Sequence, residues 1–399
     1  MKILIVTPRI PYPPYRGDKL KIYNIVKVLL KNNDVRIITF YQNNKDKANA
    51  DAIRELGVKI DLVRLTLVES LMQVLFAITK KFPFQVAWYK SSRMKNAIDF
   101  LLEQERFDVI YYHLIRTAQY LSTKDSNPKL NIIDFTDSVS LYLTRMLNQE
   151  KNLIKRFAIH SELKRVEEYE RIANKFDSIF ICSEVDKKFL QTKTADKEIQ
   201  LLKNGINSDY FSDCKIEFDP KRIIFTGNMP YFPNSDAAIY FSKEIFPLIL
   251  KWDSNVKFYI VGQKPPRSVK RLVSRNIAVT GYVKDINIEY LKSAVNVAPM
   301  RFGAGTLNKV IESIALGVPV VATSSAVAGL PKELSKFVFT ADSSVEFADK
   351  VIEILNNEKI REEVMNEGKV IIKNLLDWNR LVGEFEKFLI TKLEQQKKK

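Results

Sequence analysis

The sequence is almost free of cysteine and holds no long hydrophobic run. Only Cys182 and Cys214 occur among 399 residues, and they have neither the spacing of metal ligands nor that of a disulfide framework. The longest apolar run, near Leu71–Ile78, is too short to span a bilayer. No charged and then apolar signal segment opens the chain, so we expect a cytoplasmic protein. Disulfide-rich and membrane-spanning classes are therefore excluded.

Basic residues outnumber acidic ones, which gives a formal net charge of +16. A surface of this sign attracts nucleic acid, anionic lipid or a phosphorylated substrate, although a solvated lysine face gives the same charge. No helix-turn-helix, zinc-finger spacing or aromatic RNA-binding signature accompanies it, so we expect no nucleic-acid partner. A hydrophobic content of 46% excludes global disorder, and the length predicts two domains.

Short apolar runs alternate with segments of helical periodicity along the whole chain. This alternation predicts parallel, doubly wound sheets, and its two series predict two Rossmann-like domains that face each other across a cleft holding the site. We place the domains at 1–205 and 206–377, with a last helix, about 378–394, that packs back on the first. The runs are 2–6, 35–41, 58–63, 108–112, 131–135 and 178–182, then 222–226, 256–261, 277–280, 295–299, 318–322 and 337–340.

The most informative segment follows the apolar strand at 295–300, where a loop with two glycines leads into a helix. The first turn of a helix presents unpaired N–H groups and the positive end of its dipole to an anion. Arg301 and Lys309 add positive charge there, and the carboxylate of Glu312, one turn inside the helix, can accept two ribose hydroxyls. Strand, turn and helix alone are explained by packing. With these charges at the carboxyl end of a strand, they predict a nucleotide-sugar site.

The first predicted strand leads into a proline-rich loop that ends at Gly17, where a helix begins. The loop carries Arg9 and Arg16, with Asp18 directly after it, at the carboxyl end of the strand and above the expected cleft. A rigid connector would have the same composition. The placement favours contact with an acceptor or with the phosphates of a donor.

His113 and Arg116 follow the strand at 108–112 in the same way. A lone histidine is usually structural, but its position at a strand end favours a role in the site. Asp134 and Asp137 also follow a strand, and a helix N-cap or a partner for a cation explains them as well as a site role does.

Apolar and basic residues are interleaved between Thr66 and Lys95. A basic amphipathic helix of this composition can lie on anionic lipid, and a helix whose apolar side faces the core has the same pattern. Both interpretations stay open. The apolar residues are Leu71, Val74, Leu75, Phe76, Phe82, Phe84 and Trp88, and the basic ones are Lys80, Lys81, Lys90, Arg93 and Lys95.

Several motifs occur together along nearly the whole chain and resemble those of the family 4 retaining glycosyltransferases of the GT-B fold, the glycosyl transferases group 1. Within that family they are most similar to the subgroup associated with bacterial polysaccharides. The motifs are Pro8-Arg9-Ile10-Pro11-Tyr12-Pro13-Pro14 with Gly17-Asp18, Asp134-Phe135-Thr136-Asp137-Ser138-Val139-Ser140, Asn204-Gly205-Ile206-Asn207, Phe225-Thr226-Gly227-Asn228-Met229 with the segment 231–237, Val261-Gly262, Thr280-Gly281-Tyr282-Val283, and the segment 300–312.

The resemblance implies a role for each matched residue. Glu312 would bind the ribose, Lys309 and Arg301 the diphosphate, and His113 a sugar hydroxyl, which makes His113, Arg301 and Lys309 the catalytic candidates. The implied donor-binding residues are Gly17, Gly227, Asn228, Gly303, Gly305, Thr306, Leu307, Asn308 and Glu312, and the acceptor-side residues are Arg9, Arg16, Asp18 and Arg116.

Two positions depart from the family pattern. Ala304 stands where the family often has a glutamate that contacts the sugar, which leaves the donor sugar open. Asn228 stands where an arginine is usual, and Arg301 can compensate for that loss.

These observations predict a retaining enzyme that moves a sugar from a nucleoside-diphosphate donor to a hydroxyl of a glycan or lipid-linked acceptor, with no metal and no other cofactor. Two other classes stay open. One is a sugar-nucleotide enzyme of the same fold, such as an epimerase, which needs no acceptor. The other is a non-catalytic relative that binds a glycan or a membrane. If residues 66–95 lie on lipid, an anionic membrane, the inner face of the plasma membrane, is a further partner.

Overall fold

The computed structural model describes residues 1–122, 128–194, 197–207, 216–301 and 308–397. The chain forms two compact units, one made of Met1–Lys203 with Trp378–Lys399 and the other of Asn204–Asp377. Each unit is built on one parallel β-sheet, of seven and six strands respectively. The predicted fold class of two Rossmann-like, doubly wound domains is therefore confirmed. No helix in the described ranges is long and apolar enough to cross a membrane.

The first sheet has the strand order β3-β2-β1-β4-β5-β6-β7. Its strands are β1 (Lys2–Thr7), β2 (Asp34–Tyr41), β3 (Lys59–Arg64), β4 (Phe107–His113), β5 (Pro128–Asp134), β6 (Ser178–Ile181) and β7 (Ile199–Leu201). Its helices are α1 (Gly17–Leu29), α2 (Asn44–Arg54), α3 (Leu67–Lys80), α4 (Phe84–Ala87), α5 (Ser92–Gln104), α6 (Val139–Gln149), α7 (Leu153–Glu170), α8 (Glu184–Gln191) and the last helix of the chain, Trp378–Lys397. Short 3₁₀ segments cover Ile115–Tyr120 and Arg171–Lys175.

Both faces of this sheet are covered, which explains why its strands are continuous apolar runs. Alternate side chains of β1 enter opposite cores: Leu4 and Val6 pack on the side of α5 and α7, while Ile3 and Ile5 pack on the side of α1 and the last helix. The last helix contributes Phe385, whose ring meets those of Tyr111 and Phe180 edge-on at 5.9 and 5.0 Å. It is thus part of the core of the first unit.

The second sheet has the order β10-β9-β8-β11-β12-β13. Its strands are β8 (Asp219–Thr226), β9 (Lys257–Val261), β10 (Ile277–Gly281), β11 (Ser293–Ala298), β12 (Val320–Ala322) and β13 (Val338–Thr340). Its helices are α9 (Phe232–Tyr240), α10 (Phe246–Trp252), α11 (Arg267–Lys270), α12 (Ile286–Leu291), α13 (Asn308–Ala315), α14 (Ser324–Val327), α15 (Ser344–Leu355), α16 (Glu358–Glu363) and α17 (Lys369–Leu376), which makes the last helix, Trp378–Lys397, α18. A 3₁₀ segment covers Lys332–Phe337, and π-helical turns cover Phe241–Ile245 and Val364–Gly368.

Counted within its own unit, each sheet follows the Rossmann order 3-2-1-4-5-6, and the first adds β7 at its edge. The direction of winding therefore reverses between β1 and β4 in the first unit and between β8 and β11 in the second. Ligands of such sheets bind outside the carboxyl ends of the strands at this reversal. The loops after those four strands are where each unit is expected to hold a ligand.

Candidate functional site

In the second unit, Gly227 follows β8 at the point of reversal and makes room for a polar side chain. A Cβ atom on Gly227 would lie 2.7 Å from Cγ of Asn234, and one on Gly262 would lie 1.8 Å from the carbonyl oxygen of Gly227. These glycines let the loops after β8 and β9 and the start of α9 approach one another closely. Asn234 Nδ2 donates to the carbonyl of Asn228 at 3.0 Å, which fixes the orientation of its amide.

Lys309, in the first turn of α13, is directed at this amide. Its Nζ donates to Oδ1 of Asn234 at 2.8 Å and lies 4.1 Å from the centre of the Phe225 ring. The side chain is only 8% exposed, and burial lowers the pKa of Lys309 to about 7, although Glu312 acts in the opposite direction. Within the described part of the chain this buried ammonium donates only to neutral atoms, Oδ1 of Asn234 and, at 3.9 Å, Sδ of Met300, so the site favours an anion close to Lys309.

Glu312 lies one turn further along α13 and is also held in place. Tyr290, fully buried, contacts Oε2 of Glu312 at 3.5 Å, the carbonyl of Lys309 at 3.3 Å and Oγ1 of Thr226 at 2.5 Å. Burial raises the pKa of Glu312 to about 7, while the charge of Lys309 and the hydroxyl of Tyr290 lower it. Burial pushes both members of this pair toward neutrality, and the charge of each keeps the other partly charged.

Arg301 stands apart from this pair and already has a partner. Its Nε donates to Oδ2 of Asp236 at 2.9 Å, its other guanidinium nitrogen contacts Oδ1 of the same carboxylate, and the side chain is 45% exposed. The hydrogen bonds to Asp236 raise the pKa of Arg301. Arg301 and Lys309 therefore both contact α9, two residues apart, through Asp236 and Asn234.

Some of the other predicted donor-binding residues are described by the structure, and some lie outside the described ranges. Asn308 is the first residue of α13, and its Oδ1 accepts from Nδ2 of Asn204 at 3.1 Å. Gly303, Gly305, Thr306 and Leu307 lie outside the described residues, as do Ala304 and Cys214. In the first unit, Gly17 opens α1, where a Cβ atom would meet nothing within 4 Å.

His113 ends β4 and has one bound and one open ring nitrogen. Nδ1 lies 3.0 Å from Oγ1 of Thr7, and that hydroxyl also lies 3.3 Å from the carbonyl of Arg9, which can only accept. When the Thr7 hydroxyl donates to that carbonyl, Nδ1 carries the ring proton and Nε2 is an acceptor; when it donates to Nδ1, Nε2 carries the proton. Nε2 is buried and has no hydrogen-bond partner among the described residues. Burial lowers the pKa of His113 to about 4, so the ring is neutral at pH 7.

The acceptor-side residues gather around His113. Nη1 of Arg9 lies 2.8 Å from Asp18 and Nε of Arg16 lies 3.3 Å from it, while the guanidinium groups of Arg9 and Arg116 lie 5.6 and 5.8 Å from the centre of the Tyr89 ring. Burial alone would raise the pKa of Asp18, but the charges of Arg16 and Arg9 outweigh it and lower the pKa to about 2. Three cations thus surround one carboxylate, which leaves a net positive charge for an anionic substrate.

Below His113, a buried ion pair fixes the adjacent strand. Nζ of Lys21 lies 2.7 Å from Oδ2 of Asp134, both side chains are fully buried, and the hydroxyl of Tyr111 donates to the same carboxylate. Asp134 is therefore the partner of a cation. The N-cap of α6 is Ser138, whose hydroxyl accepts from the amide of Leu141, so Asp134 and Asp137 do not cap that helix.

The exposure of the residues in α3 distinguishes the two interpretations of the stretch at 66–95. Among the large apolar residues of α3, Leu71, Leu75 and Phe76 are 49, 60 and 56% exposed, whereas the fully covered positions are the small residues Ser70 and Ala77. The core-facing interpretation is wrong for this helix. It holds in part for Trp88, which packs against the core.

Sequence reasoning did not assign roles to Thr7, Asn234, Asp236 or Tyr290. Asn234 and Asp236 lie in a quoted motif, and their spacing from Gly227 was the only available signal. Tyr290 reaches Glu312 from α12, 22 residues earlier in the chain, which no local pattern reveals.

Comparison with known proteins agrees with this geometry. Residues 220–357 match the family model of glycosyl transferases group 1. The sequence is 22% identical over 375 residues to the "Uncharacterized 44.6 kDa protein in cps region" of Klebsiella pneumoniae, covering 89% of this chain and 91% of that protein.

Solved structures share the fold over nearly the whole chain at low identity. Sucrose-phosphate synthase from Thermosynechococcus elongatus superposes with a TM-score of 0.72 at 11% identity, covering 98% of each chain. TarM of S. aureus has a TM-score of 0.73 at 12% identity, covering 97% of this chain and 98% of that chain. HepE of Anabaena, in complex with UDP and glucose, has a TM-score of 0.68 at 12% identity, covering 98% of this chain and 100% of that chain.

The two sheets, their strand order and the family match define the class: this chain is a glycosyltransferase of the GT-B fold. Within that class, its second unit matches the model of the glycosyl transferases group 1 over most of its length. The resemblance stated from the motifs is thereby confirmed.

Proposed function

We propose that this glycosyltransferase transfers a sugar, with retention of its anomeric configuration, from a nucleoside-diphosphate donor to a hydroxyl of a glycan or lipid-linked acceptor in surface polysaccharide biosynthesis. The observation that carries the proposal is the pair of Lys309 and Glu312 on α13, which is buried and poorly compensated. The K. pneumoniae relative from a cps region supports the polysaccharide role.

Lys309 and Glu312 suit opposite ends of a nucleoside diphosphate. An anion beside Lys309 restores the charge that burial disfavours, and a carboxylate at Glu312 can accept both hydroxyls of a ribose. The structures of HepE with UDP-glucose and of TarM with UDP support a donor of this class. Asn234 and Tyr290 keep the two charged side chains in place, so neither has to reorganise when the donor arrives.

The proposed step breaks the bond between the anomeric carbon and the phosphate oxygen and forms a bond from the acceptor oxygen to the same face of that carbon. The acceptor hydroxyl gives its proton to the departing diphosphate, so the products are the glycoside and the nucleoside diphosphate. Negative charge grows on the phosphate during this step, and Lys309 with Arg301 would stabilise it.

The first unit would hold the acceptor and a sugar hydroxyl. Nε2 of His113 has no partner in the part of the chain that the structure describes, and it can form a hydrogen bond with such a hydroxyl, which both donates and accepts. The net positive charge around Asp18 suits an acceptor that carries phosphate, as a lipid-linked glycan does.

Donor binding is tested with Glu312→Gln, which keeps the shape of the side chain and removes its charge. Calorimetric titration with UDP-sugars should show a loss of affinity worth on the order of 1.5–3 kcal/mol, the range for charged hydrogen bonds. Glu353→Gln, at an exposed position of α15, is the matched control and should bind as the wild type does. Equal affinity in a folded Glu312 variant would remove this residue from the site.

Transfer is tested by following nucleotide release and product stereochemistry. A transferase releases nucleoside diphosphate at a rate that depends on acceptor, and NMR of the product should show the anomeric configuration of the donor. Conversion of the sugar without acceptor would indicate the epimerase-like class. Donor binding with neither release nor conversion would indicate a non-catalytic relative.

We further propose that the enzyme docks on an anionic membrane through α3, where a lipid-linked acceptor would be found. The exposed apolar side of α3 is followed by the exposed residues Lys80, Lys81 and Lys90. A cavity of about 250 Å³, lined by Phe76, Phe82, Lys80 and Lys90 among others, opens beside its last turn. Each basic group near an anionic surface is worth about 1 kcal/mol, so binding should weaken steeply as salt rises.

Vesicle co-sedimentation tests this docking. The protein should bind vesicles that contain phosphatidylglycerol and not vesicles of phosphatidylcholine alone. Equal binding to both, or none at low salt, would leave the charge as a solubility feature and favour a soluble acceptor.

A further inference from the structure

The first two turns of α7 carry three large apolar side chains that nothing in the described structure covers. Leu153, Ile154 and Phe157 are 80, 82 and 77% exposed. We call these three residues the α7 tip. Monomeric proteins seldom leave large apolar side chains this exposed in a contiguous group, so a group of them marks a surface for a partner.

The α7 tip points away from the unit. At about 100° per residue, Ile159, Leu163 and Val166 fall on one side of the helix, and these three pack in or against the core of the first sheet. Leu153 and Phe157, one turn apart, fall on the opposite side together with Ile154. The apolar residues of α7 therefore lie on two faces. One face packs against the core of the first sheet, and the other, which holds the α7 tip, is exposed.

Hydrogen bonds hold the backbone of the α7 tip in place. Oδ1 of Asn152 accepts from the amides of Ile154 and Lys155 at 3.1 Å each, which caps the helix. Arg156 Nη1 donates to the carbonyls of Leu147 and Glu150 at 2.9 and 3.0 Å and so ties α7 to the end of α6. The apolar side chains are thus presented on an ordered helix end.

The charges around the tip indicate lipid as its occupant. Lys151, Lys155 and Arg156 flank the three apolar residues, all are exposed, and no acidic residue occurs from Lys151 to Ser161. Lysine is depleted at the centre of protein interfaces, whereas interfacial membrane helices combine Leu and Phe with Lys and Arg. This composition complements an anionic bilayer surface better than it does a second protein.

The tip also lies in the same packed module as α3. The amide of Phe84, which follows α3, donates to Glu162 of α7 at 3.2 Å, and the guanidinium of Arg165 lies 4.2 Å from the centre of the Phe84 ring. The rings of Phe82 and Tyr169 meet edge-on at 5.0 Å. Both apolar surfaces therefore lie on helices of the first unit that are linked through the segment at 82–84.

We infer that the α7 tip inserts its three apolar side chains into the interfacial region of an anionic membrane, as a second contact beside α3. This inference rests on the proposed docking through α3 and names the segment that enters the lipid. The flanking lysines would stay at the level of the headgroups while the apolar side chains go below them.

The test uses the full-length protein with Leu153, Ile154 and Phe157 replaced by serine together. All three positions are exposed, so the fold is expected to persist. Partitioning onto phosphatidylglycerol vesicles should fall roughly tenfold or more, because three large apolar side chains leave the lipid. Val345→Ser, 62% exposed on α15, is the matched control and should partition as the wild type does. Leu71→Ser with Leu75→Ser measures the α3 contact separately.

Insertion is read independently with Phe157→Trp, whose added emission should be quenched by lipids brominated on their acyl chains. If the serine variant partitions as the wild type does while the α3 variant is weakened, the inference about the tip is overturned and docking through α3 stands. If the wild type does not bind anionic vesicles, both are overturned. If light scattering shows that the wild type self-associates, and the serine variant is monomeric with unchanged partitioning, the tip is a contact between copies and the inference is again overturned.

Discussion

Replacing Lys309 by methionine should make the unliganded protein more stable and unable to recognise its donor. Burial lowers the pKa of Lys309 from its ordinary 10.5 to about 7. Because one pKa unit is worth about 1.4 kcal/mol, this difference costs the empty fold on the order of 4 kcal/mol at pH 7. Methionine fills similar space and has no charge to bury.

Part of the gain in stability of the Lys309→Met variant is offset by lost interactions. The variant loses the hydrogen bond from Nζ to Asn234, which costs about 1–3 kcal/mol for a buried acceptor left without its partner. Glu312 also loses a neighbouring cation, and its raised pKa should rise further. We expect a net gain of about 1–2 kcal/mol, which corresponds to a rise of about 2–8 °C in the Tm of a unit of this size.

The pH dependence follows from the same pKa. The unfolded chain keeps the Lys309 proton up to about pH 10.5, whereas the folded protein releases it above about pH 7. The cost is therefore fully present below pH 7 and is relieved as pH rises toward 10.5, since the unfolded state binds more protons in that window. The advantage of the methionine variant should shrink accordingly between pH 7 and pH 10.

Thermal unfolding with and without UDP measures both effects. Saturating UDP should stabilise the wild type, by about 2.7 kcal/mol at 100 times Kd, and should leave the Lys309→Met variant almost unchanged. Lys359→Met, at an exposed position of α16, is the control and should alter neither value by more than about 0.5 kcal/mol. A variant that is less stable than the wild type at pH 7 without ligand, or that gains as much from UDP, would refute the reasoning.

Three further predictions concern single residues of either unit. His113→Gln should make the protein less sensitive to acid, because burial lowers the pKa of His113 to about 4. Between pH 6.5 and pH 4 the free energy of unfolding of the wild type should fall by on the order of 3 kcal/mol more than that of the variant. Equal losses for the two proteins, measured by unfolding in urea, would contradict this. Gly227→Ala should weaken donor binding roughly tenfold in calorimetry, because the new Cβ would lie 2.7 Å from Asn234. Gly383→Ala, where the new Cβ would meet no atom within 4 Å, is the control and should bind as the wild type does. Equal affinities for both variants would show that the amide of Asn234 is not needed for donor binding. Arg301→Ala should lower turnover at saturating donor while changing stability by less than about 1 kcal/mol, since its ion pair is half exposed; wild-type turnover would exclude it from the mechanism.

Much of the fold could be read from local sequence because the strands are buried on both faces. Runs such as 2–6 and 108–112 are apolar without alternation, which indicated parallel strands under helices, and the structure places β1 and β4 there. The strand β7 was missed because Ile199–Leu201 has the polar Gln200 at its centre and forms no apolar run. The family was also within reach of the sequence, because its motifs recur in a fixed order.

The sequence by itself therefore determined the two-unit α/β fold, the resemblance to the family and the chemical types of residue that follow the strands, because these depend on short-range patterns of polarity and on glycine. Only the tertiary structure decided which face of α3 is covered, that Asp236 pairs with Arg301, and that Thr7 contacts Nδ1 of His113. It also decided the charge of Lys309, whose pKa is governed by burial and by an amide contributed from 75 residues away. Such properties depend on distances between residues far apart in the chain, which local sequence patterns do not record.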